Sequence, residues 1–277
     1  MDSDWDQPVR LLPMRKVKDF TVMGLVWINL PNAPMSFFVH RAAAIEASEV
    51  LGEMMKDEGK FTFAIDYDPK DFSGVLKYMY TGEYDVPDID KEMRVLEVDR
   101  SDDAPFYFFS EAFSTMDNDL DRTDFSKMVQ GFVDTYIHPE RQPYPRVDPF
   151  LQNADMTETL LRHADMYLAG KHFRIHGLSS LAMNWLAHTL LHFKDTYHSV
   201  LCIKTLVNHV FSKAPVGDAI REMLAFYMAC RHFKYRWHPL MGDEGFPYPL
   251  RKSRWEIVGR YMDPTDLGMV KCDVESD

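Results

Sequence analysis

The segment from Met35 to Tyr84 constrains this chain more than any other. In it strand-like and helix-like patterns follow one another, and each is closed by a residue suited to ending an element. Phe37, Phe38 and Val39 form a short apolar run ending in His40-Arg41, which predicts a strand running into a helix. Ala43, Ala47, Val50 or Leu51, and Met54 then fall on one helical face. Ser48 interrupts that face with Glu49 behind it, an N-cap followed by an acid in the first turn, so the spacing predicts two short helices meeting at Ser48. Past Gly59, Phe61, Phe63, Ile65 and Tyr67 alternate with Thr62, Ala64 and Asp66, the period of a half-buried strand. Asp68-Pro69 starts a last helix that buries Phe72, Val75, Leu76 and Met79, and Gly82 stops it.

Upstream, Phe20, Val22, Val26, Ile28 and Leu30 alternate with Met23, Leu25 and Trp27, so both faces are apolar, as in a strand covered on each side. Pro31-Asn32-Ala33-Pro34 is a turn cluster that would return the chain as a hairpin into Phe37–Val39. Downstream, Asp155 and Glu158 open a helix on Leu161, Ala164 and Leu168. A break around Gly170 to Ile175 separates it from a second helix on Leu178, Leu181, Ala182, Trp185 and Leu186.

In order and spacing, Phe38-Val39-His40-Arg41, Ser48-Glu49-Val50-Leu51 and Tyr78-Met79-Tyr80-Thr81-Gly82 resemble a BTB/POZ domain of the divergent kind common in filamentous fungi. The run Leu160-Leu161-x-His163-Ala164-Asp165 with Ile175 and Leu178 is similar to the helical pair of that family, although Gly170-Lys171-His172-Phe173 stands where Asp-Lys-Tyr is usual. The resemblance covers about Asp19–Tyr84 and Asp155–Phe193. It implies an α+β fold, a small mainly antiparallel sheet capped by a cluster of helices, in a domain over 17–195 interrupted by an insertion over about 86–154. A helical extension over 196–262 would follow, with tails at 1–16 and 263–277.

The insertion is rich in acids and ends among Pro139, Pro143, Pro145 and Pro149. Val95–Val98 and Phe106–Phe109 each fit an added strand, and Phe125, Met128, Val129, Phe132, Val133 and Tyr136 make a helical stripe that needs a surface, either in this chain or on a partner. Stripes on Val200, Ile203, Leu206, Val207 and Val210, and on Ile220, Met223, Leu224, Tyr227 and Met228, predict two further helices, with a short one at Trp255–Met262.

A hydrophobic content of 46% excludes a largely disordered chain. A net charge of −12 opposes both nucleic-acid phosphates and an anionic membrane surface. Cys202, Cys230 and Cys272 are too sparse for a disulfide framework, the first residues lack an apolar signal region, and the expected location is intracellular, cytoplasmic or nuclear. His188 with His192, and His172 with His176, have one-face helical spacing but no third ligand in the pattern. Asp117-Asn118-Asp119-Leu120-Asp121 opens like a calcium loop but continues with Arg122 and Met128 where Gly and Glu are needed. No catalytic motif is present, so the sequence points to no enzyme, no cofactor and no metal.

The resemblance implies a non-catalytic module acting through protein partners, with homodimerisation and cullin ubiquitin-ligase adaptor work as the family's associations. It places a charged pocket near a dimer axis at Asp19, His40 and Arg41, and a cullin contact at Met55-Lys56-Asp57, where Asp57 replaces the usual Glu. The alternative from residues alone is a monomeric helical enzyme or cation-binding protein that uses the acidic insertion.

Overall fold

The computed structural model describes residues 24–31, 33–57, 59–87, 119–137, 155–192 and 197–232. Asp19, both insertion strands, the helix at Trp255–Met262, the tails and the side chains of the acidic run from Asp117 lie outside them. The chain is mixed α+β and divides into two compact units, Met1–Asp88 with Glu158–Leu186, and Ile89–Thr157 with Ala187–Asp277.

In the first unit β1 (Leu25–Asn29) and β2 (Phe37–His40) form the expected antiparallel hairpin, with Trp27 opposite Phe38. β3 (Thr62–Ala64) joins the other edge of β1 in parallel, with Trp27 opposite Thr62. The order β2-β1-β3 makes the sheet mixed rather than mainly antiparallel. Its ladder reaches slightly beyond β3 at both ends, through Trp27 N–H to the Phe61 carbonyl (2.8 Å) and Ile65 N–H to the Asn29 carbonyl (3.0 Å). Val26, Ile28, Val39 and Phe63 fill the inner face. Phe37 meets Phe72 edge-on at 5.6 Å, and Phe72 in turn lies 5.6 Å from Phe173.

Helices α1 (Arg41–Ala47) and α2 (Glu49–Met54) meet at Ser48, which is extended and accepts the Leu51 N–H at 3.0 Å, the cap that its hydroxyl and the following Glu49 predict. Helix α3 (Pro69–Thr81) starts on Asp68, whose carboxylate accepts from the Lys70 and Asp71 amides. It ends on Gly82 at φ 77°, where a residue without Cβ takes the left-handed conformation freely.

Helices α4 (Asp119–Tyr136), α5 (Thr157–His172) and α6 (His176–His192) follow, and α5 with α6 up to Leu186 completes the first unit. The break between α5 and α6 falls inside the expected Gly170–Ile175 stretch, towards its end. Arg174 takes φ 51°, its N–H reaches the Lys171 carbonyl (3.2 Å), and the Ile175 N–H reaches back to the Gly170 carbonyl (2.7 Å). This bond pair is a Schellman ending with arginine in the position glycine usually takes. Gly170 itself is buried inside α5, and a Cβ there would stand 2.6 Å from the Ser179 backbone nitrogen of α6. Its role is close helix approach, not chain reversal. The buried face of α5 is also rotated from the expected one. Leu160, Ala164 and Tyr167 are fully buried while Leu161 and Leu168 are half-buried, because polar Arg162 and His163 turn inward to partners described below.

In the second unit α4 packs on α8 (Ala219–His232) through Phe132 against Phe226 (5.7 Å, edge-on) and Tyr227 (6.2 Å), with Tyr136 also against Phe226. Phe132 and Tyr136 of the insertion's stripe thus find their surface within this chain. Helix α7 (Tyr197–Lys213) buries Ile203, Leu206, Val207 and Val210, and turns into α8 at Gly217 (φ 80°). Asp218 caps α8 at the Ile220 N–H, and Arg221 donates to the Phe211 carbonyl while stacking over the Phe211 ring.

Candidate interaction surfaces

A strand alternates its side chains between two faces, so each residue of β1 that fills the core leaves a neighbour pointing away from it. The sequence predicts β1 to be covered on both sides, yet only one side is covered. Leu25 (49%) and Trp27 (46%) stay exposed on β1 and Phe38 (52%) on β2. Pairing of Trp27 with Phe38 brings their rings to a centroid distance of 4.1 Å, which fuses the two into one aromatic ridge. Asn29, Thr62 and Ala64 share this outer face by register and are exposed, while His40, opposite Leu25, is half-buried. No outward position of the three strands carries Asp, Glu, Lys or Arg.

Of the residues expected to form a charged pocket, Asp19 lies outside the described residues. His40 shares a hydrogen bond through Nδ1 with the Tyr80 hydroxyl (3.1 Å), and its backbone N–H donates to the same oxygen (2.9 Å). Arg41 is 3% exposed, and its guanidinium donates to the carbonyls of Met55 (2.6 Å), Asp57 (2.8 Å) and Lys60. It also lies 5.7 Å and 5.8 Å from the Phe61 and Phe63 ring centres. These carbonyls leave α2 and approach β3, so Arg41 staples the connecting loop from within rather than facing an open pocket.

The expected cullin triplet is divided by burial. Met55 is fully buried at the C-terminal end of α2, whereas Lys56 and Asp57 are exposed. Helical phase explains the difference. Met55 lies one turn on from buried Leu51 and therefore points to the core.

A polar clamp not recognised in the sequence joins the two chain stretches of the first unit. Arg162 on α5 pairs with Asp71 (2.9 Å), side chains 8% and 16% exposed, and also donates to the Lys70 and Asp85 carbonyls. Next to it, His163 is fully buried and shares a 2.6 Å hydrogen bond through Nδ1 with the Tyr84 hydroxyl, while the Tyr84 ring packs on Trp185 at 4.7 Å. Burial first, and the neighbouring Arg162 charge second, push the His163 pKa down to about 3, so the ring is neutral. Farther along, the Ser48 hydroxyl donates to the Phe173 carbonyl (2.6 Å), tying the start of α2 to the end of α5.

In the second unit, Cys202 lies 3.4 Å from Asp155 Oδ1, and burial is the largest cause raising its thiol pKa. Burial raises that of Cys230 as well. These are inert core thiols. Among the described residues no group of three or more His, Cys, Asp or Glu side chains could hold a metal ion, and no helix is long and apolar enough to cross a membrane.

Comparison of the chain with protein-family models, with curated proteins and with solved structures returned no match.

Proposed function

We propose that this chain is a non-catalytic protein–protein interaction module whose first unit is of BTB/POZ type, and that it serves as an adaptor for protein partners. The observation that carries this reading is the charge-free aromatic face held on a sheet whose other side is packed with helices. Exposed aromatic side chains on a rigid element give contact area at low ordering cost, the property of a docking surface. The element order is in keeping with the BTB resemblance: hairpin, helix pair, third strand, capped helix, then a helical pair bonded back onto the earlier part through Ser48 and Arg162.

The adaptor reading predicts capture of a cullin N-terminal domain by the immobilised full chain, weakened by charge reversal at Lys56 and Asp57. Failure of capture removes the cullin assignment. Stoichiometric zinc or calcium in the purified protein would instead favour the cation-binding alternative.

A further inference from the structure

We infer that the open edge of β3, together with the cavity at its carboxyl end, is a docking site for an extended peptide segment that carries a lysine or arginine. The site is separate from the aromatic face and from the cullin triplet.

The strand edge is the first argument. In the parallel ladder the Phe61 carbonyl and the Ile65 N–H point to β1, so by alternation the N–H and C=O groups of Thr62 and Ala64 point the other way. Both residues are exposed, and among the described residues no hydrogen bond meets those four groups. The order β2-β1-β3 makes β3 an edge, and an unpaired edge is a template for one more strand. Neither a charged residue nor a proline in β3 opposes such pairing. Because β3 is short, main-chain pairing supplies only part of the affinity, and a side-chain contact has to supply the rest.

The cavity offers that contact. It measures about 470 Å³, within the range of ligand pockets, and is lined by Pro31 past the end of β1 and by Asp66, Tyr67, Asp68, Pro69 and Lys70 past the end of β3. Asp66 follows Ala64 by two residues, roughly 7 Å along an extended chain. A peptide paired with β3 can therefore reach over this end with a long side chain. The walls select its chemistry. The prolines and the Tyr67 ring suit a methylene stem, and the Asp66 and Asp68 carboxylates suit a cationic head. Among the described residues no hydrogen bond or ion pair engages exposed Asp66, and Asp68 caps α3 through one oxygen, Oδ1. Burial first, and then the charges of Asp71, Asp165 and Asp68, push the Tyr67 hydroxyl pKa up, so the wall keeps a neutral hydroxyl in a negative potential. Asp71 is already answered by Arg162 at 2.9 Å, which leaves Asp66 and Asp68 for an incoming cation, with Lys70 as the opposing charge. An acidic segment would meet these carboxylates and the chain's net charge of −12.

The test is fluorescence anisotropy of the full chain with labelled threonine–valine peptides of roughly six residues, carrying lysine, glutamate or norleucine at each position in turn. We expect the lysine series to bind with one preferred position, norleucine to bind more weakly, glutamate not to bind, and affinity to fall as salt rises. Asp66→Asn and Asp68→Asn should each weaken the lysine peptide about threefold, and Lys70→Gln should tighten it. Asparagine in place of Asp68 still caps α3, so this variant removes charge without removing the cap. Thr62→Pro deletes an outward N–H, leaves the bonds to β1 in place, and should weaken every peptide about tenfold. Circular dichroism and thermal midpoint establish that the variants fold. N-methylation of the peptide at alternate amides should bring the same loss with the protein unaltered. Amide hydrogen exchange at Thr62 and Ala64 should be fast in the free chain and slowed by the peptide. Slow exchange already in the free chain overturns the inference in favour of an edge covered by the chain itself. Absence of binding, equal binding of the lysine and glutamate series, or indifference to N-methylation at every position also overturns it. Cullin capture is read at Lys56 and Asp57, so failure here and failure of the adaptor reading are separable.

Discussion

Gly170 and Gly52 offer a matched pair of substitutions with opposite expected signs. Both are helical glycines of the first unit, so each gains about 1 kcal/mol of helix propensity on becoming alanine. At Gly52 the new methyl would meet the Ile45 carbonyl oxygen at 3.4 Å and the Ile45 Cα at 3.5 Å, ordinary contact distances. At Gly170 it would stand 2.6 Å from the Ser179 amide nitrogen and 3.0 Å from the Ser179 Cα, both backbone atoms of α6. Relief needs α5 and α6 to part by about 1 Å in a close-packed interior, and overpacking of this kind costs about 1–3 kcal/mol. Gly170→Ala should thus lose up to about 2 kcal/mol net, and Gly52→Ala should gain about 0.5–1 kcal/mol. Urea unfolding followed by circular dichroism reads both as midpoint shifts at unchanged slope. Equal gains from the two substitutions would refute the close approach of α5 to α6.

Three further predictions follow from the polar contacts. His163 has a folded pKa of about 3 against about 6.5 in the unfolded chain, so the unfolded state takes up its proton first as pH falls. The stability it contributes is complete above pH 6.5 and drains away between about pH 6.5 and 3, amounting to about 2 kcal/mol lost between pH 7 and pH 5. A His163→Leu variant should lack that part of the pH dependence in urea titrations; an unchanged slope contradicts neutral burial. Ser48→Ala removes a helix cap and a buried hydrogen bond to Phe173 together, and should cost about 2 kcal/mol by chemical denaturation. Arg174→Gly relaxes a left-handed residue while giving up only an exposed 3.4 Å ion pair with Glu49, so thermal unfolding should show a gain of about 1 kcal/mol.

Elements closed by local chemistry were legible in the chain. Ser48, Asp68-Pro69 and Gly82 act on amides and φ angles within a turn of themselves, and each sits where its residue type predicts. Features decided by distant neighbours were not. Gly170 carries the same sequence signal whether it reverses the chain or admits another helix, and only packing against Ser179 distinguishes the two. Arg162 and His163 look like a solvated face until Asp71, Asp85 and Tyr84, some eighty residues earlier, arrive to satisfy them. The two apolar faces of β1 are equally hydrophobic, so the pattern does not tell that one is left open. At the candidate sites, His40 and Arg41 fall at the strand–helix junction as expected, but the inward turn of Arg41 and of Met55 depends on the loop that folds over them.

The bond between Tyr84 and His163 has an evolutionary corollary. It pins the point where the polypeptide leaves the first unit to the helix on which it comes back, so the excursion between them begins and ends at one fixed doorway. Closing such an excursion grows costlier only logarithmically, by about 0.6 kcal/mol for each doubling of its length. Changes in the length of that excursion on either side of α4, whose Phe132 is buried against Phe226 and Tyr227, therefore carry a small closure penalty, whereas changes in α4 itself also cost packing.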